Sequence, residues 1–258
     1  MESNSKHTGR SAFFWRGSPI KEVPLTRRFP GGVSDPEGRR GFVGLADGQV
    51  TALDLNTGAV IWGRTGLGQP LAANLSRLLT LDDAGDEIIL RLADAQTGQD
   101  VVRVSGLGLP SWAREVIGQP DAAEFYANNE GNGFRVLWSM RRPYRGGAPP
   151  GPTIADARPA TLKGSILLDP TSGKVLDRGH GTAPAPAGQP EAAASADPNV
   201  YAQEQIGDRI YRLKVAPPGA EHRAEITVEA SSAASGNVEW ETRVGAVPDS
   251  GPAPLPTR

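Results

Sequence analysis

Apolar residues come in short bursts along this chain, each closed by a turn. Gly41-Phe42-Val43-Gly44-Leu45 reads as a short strand, and Ala46-Asp47-Gly48 interrupts it with tight-hairpin chemistry. Gln49-Val50-Thr51-Ala52-Leu53-Asp54 then returns with polar and apolar residues alternating. Asn56-Thr57-Gly58 turns again, glycine supplying the positive φ, and Ala59-Val60-Ile61-Trp62 follows as an outermost strand. The same rhythm predicts strands at 78–81, 87–92 and 101–104. It continues at 125–127, 134–138 and 165–168, and then at 200–202, 209–213 and 226–228.

Laid over one another, these bursts expose a repeat. Segments 52–62, 92–102, 167–177 and 230–240 share a small or aliphatic residue, a Thr/Ser-Gly pair five positions on, and a short apolar run. The glycines of the pair are Gly58, Gly98, Gly173 and Gly236. The first two copies also match at Thr65-Gly66-Leu67-Gly68-Gln69-Pro70 and Ser105-Gly106-Leu107-Gly108-Leu109-Pro110, which read as connections between units. Spacing is 40 residues between the first two copies and then grows to 75 and 63. Pro/Gly-rich insertions near 143–159 and 214–224 account for the excess, on one side of the fold. Units of this length with four short strands predict an all-β fold, a β-propeller of four-stranded antiparallel blades. The blades fall at about 31–66, 67–108, 109–182 and 183–248. A basic arm over 1–30 is expected to be flexible, and 249–258 is a Pro-rich tail.

The pattern Ala52-x-Asp54-x-x-Thr57-Gly58-x-x-x-Trp62 resembles the tryptophan-docking repeat of the pyrroloquinoline-quinone-like β-propellers. That family includes quinoprotein alcohol dehydrogenases and the propeller lipoprotein of the bacterial outer-membrane β-barrel assembly machinery. The chain is more similar to the second. Its other copies keep Asp94, Thr97 and Gly98 with Val102 in place of Trp; Asp169, Ser172 and Gly173 with Asp177 in place of Trp; and Ala230, Ser235, Gly236 and Trp240 with Ser232 in place of Asp. The resemblance implies a structural motif, in which the indole packs on the neighbouring blade's turn and the Asp and Thr side chains bind turn backbone. On that reading, truncating Trp62 or Trp240 to Ala costs about 3–5 kcal/mol.

Composition narrows the chemistry. Glycine and proline, 32 and 23 of 258 residues, exclude a helical bundle or coiled coil. There is no cysteine, hence no thiolate metal site, disulfide or Cys nucleophile, and none of the adjacent cysteines found beside the quinone in the dehydrogenases. His7, His180 and His222 lack metal-ligand spacing. The acidic run Asp82-Asp83-Ala84-Gly85-Asp86-Glu87 lacks the spacing of a calcium loop and reads as a hairpin turn. Ser111 has no Ser-His-Asp context. Residues 1–40 carry eight basic and four acidic side chains, leaving the remainder acidic at an overall net charge of −2. The basic arm reads as a solvated tail, with no nucleic acid expected. No apolar stretch is long enough to span a membrane, and none resembles a signal peptide. The chain as written therefore starts in the cytoplasm, or outside it if an upstream segment is missing.

These observations predict a non-catalytic scaffold without cofactor or metal, binding a protein partner through loops or a blade edge. Arg141, Arg142, Tyr144 and Arg145, at the head of the 143–159 insertion, are the candidate contact residues. The alternative is a degenerate quinoprotein-type domain holding a small ligand such as pyrroloquinoline quinone in the central channel. Family members usually close six to eight blades, so four blades leave three readings: a fragment, two half-rings that complete one another as a homodimer of eight blades, or a small ring with divergent N-terminal strands; the first two, a partial or open propeller, are favoured.

Overall fold

The computed structural model describes residues 12–13, 32–45, 48–84, 87–105, 107–109, 113, 123–141, 161–180, 199–216 and 223–248. They form four antiparallel sheets whose strands follow one another in chain order. Blade 1 holds β1 (Ala12–Phe13), β2 (Gly32–Ser34), β3 (Arg40–Gly44), β4 (Val50–Asp54) and β5 (Val60–Arg64). Blade 2 holds β6 (Gln69–Ala73), β7 (Arg77–Ala84), β8 (Glu87–Asp94) and β9 (Asp100–Val104). Blade 3 holds β10 (Ala123–Glu130), β11 (Gly133–Arg141), β12 (Thr161–Leu168) and β13 (Val175–His180). Blade 4 holds β14 (Val200–Ile206), β15 (Arg209–Val215), β16 (Arg223–Ser232) and β17 (Val238–Pro248). The fold is the all-β propeller architecture that the repeat predicts. The inner strands β2 and β6 and the outer strands β13 and β17 were not among the predicted strands; β2 is three residues long and β6 contains Pro70, so neither of these alternates visibly. β1 pairs with β2, beside β14, and makes blade 1 five-stranded.

Each blade has two faces, and period-two alternation assigns them. In blade 1, Phe42, Ala52 and Trp62 stand in one row across the sheet and join Ala73, Leu78, Ala93 and Ala95 of blade 2. On the opposite face Val43, Leu45 and Leu53 join Leu213, Val215, Ile226 and Val228 of blade 4. Blades 2 and 3 share the largest cluster, with Leu79, Leu90 and Leu92 against Phe134, Val136 and Ile166. The spatial order is therefore blade 4, blade 1, blade 2, blade 3. Among the described residues no core cluster joins blade 3 to blade 4, and the ring is not closed.

The turn between the third and fourth strands has the same hydrogen bonds in all four blades. The N–H groups of Gly58, Gly98, Gly173 and Gly236 each donate 2.8 Å bonds to the carbonyls of Asp54, Asp94, Asp169 and Ser232. These glycines have φ of +68° to +74°, where a Cβ would be strained. Asp54, Asp94 and Asp169 accept backbone N–H bonds at 2.7–2.9 Å from residues two or three positions on, so the carboxylate fixes the turn from inside. Desolvation acts to raise the Asp94 pKa, but the N–H groups of Thr97 and Gln96, the Thr97 hydroxyl and Arg77 outweigh it and hold the carboxyl below its usual range. The backbone N–H of Thr171 and the Ser172 hydroxyl do the same for Asp169.

A depressed carboxylate stabilises the fold above its unfolded pKa, and this contribution disappears as pH falls through its folded pKa. Asp94→Ala is expected to cost about 1–2 kcal/mol at neutral pH and progressively less in acid. Urea unfolding of variant and parent between neutral and strongly acidic pH measures that convergence.

Candidate functional site

The docking turns lie at the outer corner of each blade, where the next side chain in space either covers them or does not. Trp62 lies over Gly98, where an added Cβ would sit 2.7 Å from its ring. Its Nε1 donates to the Ala95 carbonyl at 3.2 Å, and Arg64 donates to the Thr97 carbonyl at 3.3 Å. Trp240 lies over Gly58 in the same way, with the hypothetical Cβ at 2.5 Å, and Thr242 donates to the Gly58 carbonyl at 2.6 Å. Val102 and Val104 cover Gly173. A Cβ on Gly236 would meet nothing within 4 Å. Ala52, Thr57 and Ser235 complete the motif: Ala52 is buried behind Trp62, and the Thr57 and Ser235 hydroxyls accept from Ala59 and Asn237 within their turns.

The two Trp junctions are not equivalent. The carbonyl of Leu55 occupies the place of the Ala95 carbonyl, and the Tyr211 hydroxyl takes it at 3.0 Å. Trp240 Nε1 is left buried without a partner among the described residues, its ring centroid 6.0 Å from that of Tyr211. In the same row Glu204 pairs with Tyr211 across strands, and its Oε2 is likewise buried and unpartnered. Burial pushes the Glu204 carboxyl up to about 7.

At the open faces the rows change chemistry. The blade 3 row equivalent to Phe42–Ala52–Trp62 is Arg135–Leu167–Asp177. Arg135 donates to Asp177 at 2.9 Å and to Glu130 at 2.8 Å. Bonds to Glu130 and Asp177 raise the guanidinium's pKa further, and Arg135 in turn lowers that of Glu130. Ser139 and Ser165 share this face. On blade 4, the face turned away from blade 1 carries Gln203, Arg212 and Glu229 in one row. Glu229 is buried and accepts from Arg212 at 3.0 Å and from Lys214, while Arg212 also reaches Ser231 at 2.8 Å. The open faces of blades 3 and 4 carry ion clusters where the internal junctions are mostly apolar, and blade 2 also turns one such cluster, Arg91 with Asp82 and Asp100, toward blade 1.

Arg141 ends β11 exposed, beside this blade 3 face; Arg142, Tyr144 and Arg145 lie outside the described residues, as do His7 and His222. Of the acidic run, Asp82 binds the buried Arg91 across the β7–β8 hairpin. Among the described residues no three His, Asp or Glu side chains cluster as a metal site would require. Sequence reading missed Arg135, Arg212, Lys214 and Glu229 as a group. Their signal is positional: aligned by cross-strand register, Arg135, Arg212 and Lys214 fall in columns that are mostly apolar in other blades.

No protein-family model matches the chain, and no curated protein matches it. It is structurally similar to BamB from Moraxella catarrhalis, at 13% identity and a TM-score of 0.36, covering 91% of this chain and 76% of that one. It is also similar to the quinohemoprotein alcohol dehydrogenase from Comamonas testosteroni, at 14% identity and a TM-score of 0.35, covering 85% of this chain and 37% of that one.

Trp62→Phe is expected to lose about 1 kcal/mol more stability than Trp240→Phe, because only Trp62 forfeits a hydrogen bond. Equal losses in chemical denaturation would contradict the geometry. A carboxyl raised by burial favours the fold when protonated. Stability from Glu204 is therefore full below its ordinary value of 4.5 and is lost as pH rises through about 7. Glu204→Gln should flatten the stability profile across that window.

Proposed function

We propose that this chain is a non-catalytic propeller scaffold that engages a protein partner through its two open blade faces. One observation carries the reading: the row that docks blade to blade elsewhere is apolar, and the same row on blade 3 is Arg135–Leu167–Asp177. Apolar rows suit permanent burial within one chain, whereas hydrogen-bonded charges on half-exposed surfaces suit a contact that must also exist in water. Arg141, exposed at the end of β11, borders the blade 3 face and adds specificity to the same surface. Rigidity is the mechanism. Three packed junctions hold the faces at fixed separation, and binding does not have to order them first.

A photo-crosslinking residue at Lys163, exposed on the blade 3 face, tests this against the same residue at Ile61, exposed on the outer rim. Capture of a discrete protein from Lys163 alone supports the proposal, and equal capture from both positions overturns it. Saturable quenching of tryptophan fluorescence by pyrroloquinoline quinone with Ca²⁺ would instead favour a ligand in the channel.

A further inference from the structure

We infer that the partner of the open faces is a second copy of this chain, with blade 3 of each copy stacked on blade 4 of the other. The inference rests on the reading that these faces bind protein, and it names the protein.

The first ground is an uncovered docking turn. Gly58, Gly98 and Gly173 share one conformation with Gly236, and each of the three is covered by a side chain that would lie 2.4–2.7 Å from a Cβ placed there. Gly236 has the same φ, +71°, and the same N–H bond to the residue four positions back, yet nothing lies over it. The blade that would cover it in the sequence of docking is blade 3, whose Asp177 stands at the Trp position and, among the described residues, covers no docking turn.

The second ground is charge. Blade 3 presents Glu130, Arg135, Asp177, Lys163 and Arg141, and blade 4 presents Arg212, Lys214 and Glu229, so each face offers both signs for ion pairs with the other. One chain thus presents both halves of a docking junction, an uncovered turn on blade 4 and a docking row without a turn on blade 3, each lined with hydrogen-bonding charges. A two-fold axis uses both faces of both copies, forms the junction twice and leaves no face to recruit a third. The junction is polar, so its strength falls with salt.

The test is the mass of the purified full-length protein in solution, by sedimentation or light scattering, at low and high ionic strength. The expected result is twice the chain mass at low salt and the single-chain mass at high salt. Gly236→Asn keeps a residue that tolerates positive φ and finds open space within the protomer, so it should fold normally by circular dichroism and melting. Its side chain would fill the docking turn, so the variant should stay single at all salts. Asp177→Lys, at an exposed position, should raise the dimer dissociation constant at least about tenfold. A wild-type chain that stays single at low salt, a Gly236→Asn variant that dimerises like its parent, or open-ended larger assemblies would each overturn the inference. If the Lys163 crosslink captures a different protein while the pure chain stays single, the second-copy inference falls and the scaffold reading stands. If neither occurs, both fall.

Discussion

Everything in this arc depends on a side chain of one blade lying where the next blade's turn has no Cβ. Glycine at φ near +70° does two jobs at once there: it lets the chain reverse within the hydrogen-bonded loop, and it leaves a flat patch of backbone for Trp62, Trp240 or Val102. The Asp carboxylate inside the loop keeps that patch in place by accepting the N–H groups of the residues two and three positions on. Packing between blades is therefore set by the backbone of one partner and the side chain of the other. This explains why the motif tolerates Val102 for Trp but always keeps the glycine.

Much of this was legible in the sequence because the turn is local. Within the copies, the residues that bond one another lie two to five positions apart, so the motif could be read without any knowledge of tertiary structure. Most blade strands outside the inner positions also followed from alternation. The short inner strands β2 and β6 did not, since their pairing is dictated by the strand beside them rather than by their own pattern.

The order of the blades in space and the chemistry of their faces were harder to see. Nothing local says that blade 4 stacks on blade 1, because the contacts that do it, Tyr211 to Leu55 and Thr242 to Gly58, join distant parts of the chain. Likewise Arg135, Asp177 and Arg212 look like ordinary strand charges until cross-strand register places them in columns that are mostly apolar elsewhere. The unfilled hydrogen bond of Trp240 has the same origin. A tyrosine on a different strand takes the carbonyl that the indole would use, which no motif search on the third and fourth strands can reveal.

Joining the first blade to the last has a consequence for how the chain acquires its structure. Solenoid-like stacks can fold outward from any neighbouring pair, since each unit touches only the units next to it in sequence. Here the junction of Trp240 with Gly58 and of Thr51 with Val244 spans nearly the whole described chain. While the chain is being synthesised, Val43, Leu45 and Leu53 emerge early and have no cover until blade 4 follows. For that interval the nascent protein carries an exposed aliphatic sheet face, the kind of surface that long-range topologies leave unprotected and that chaperones hold.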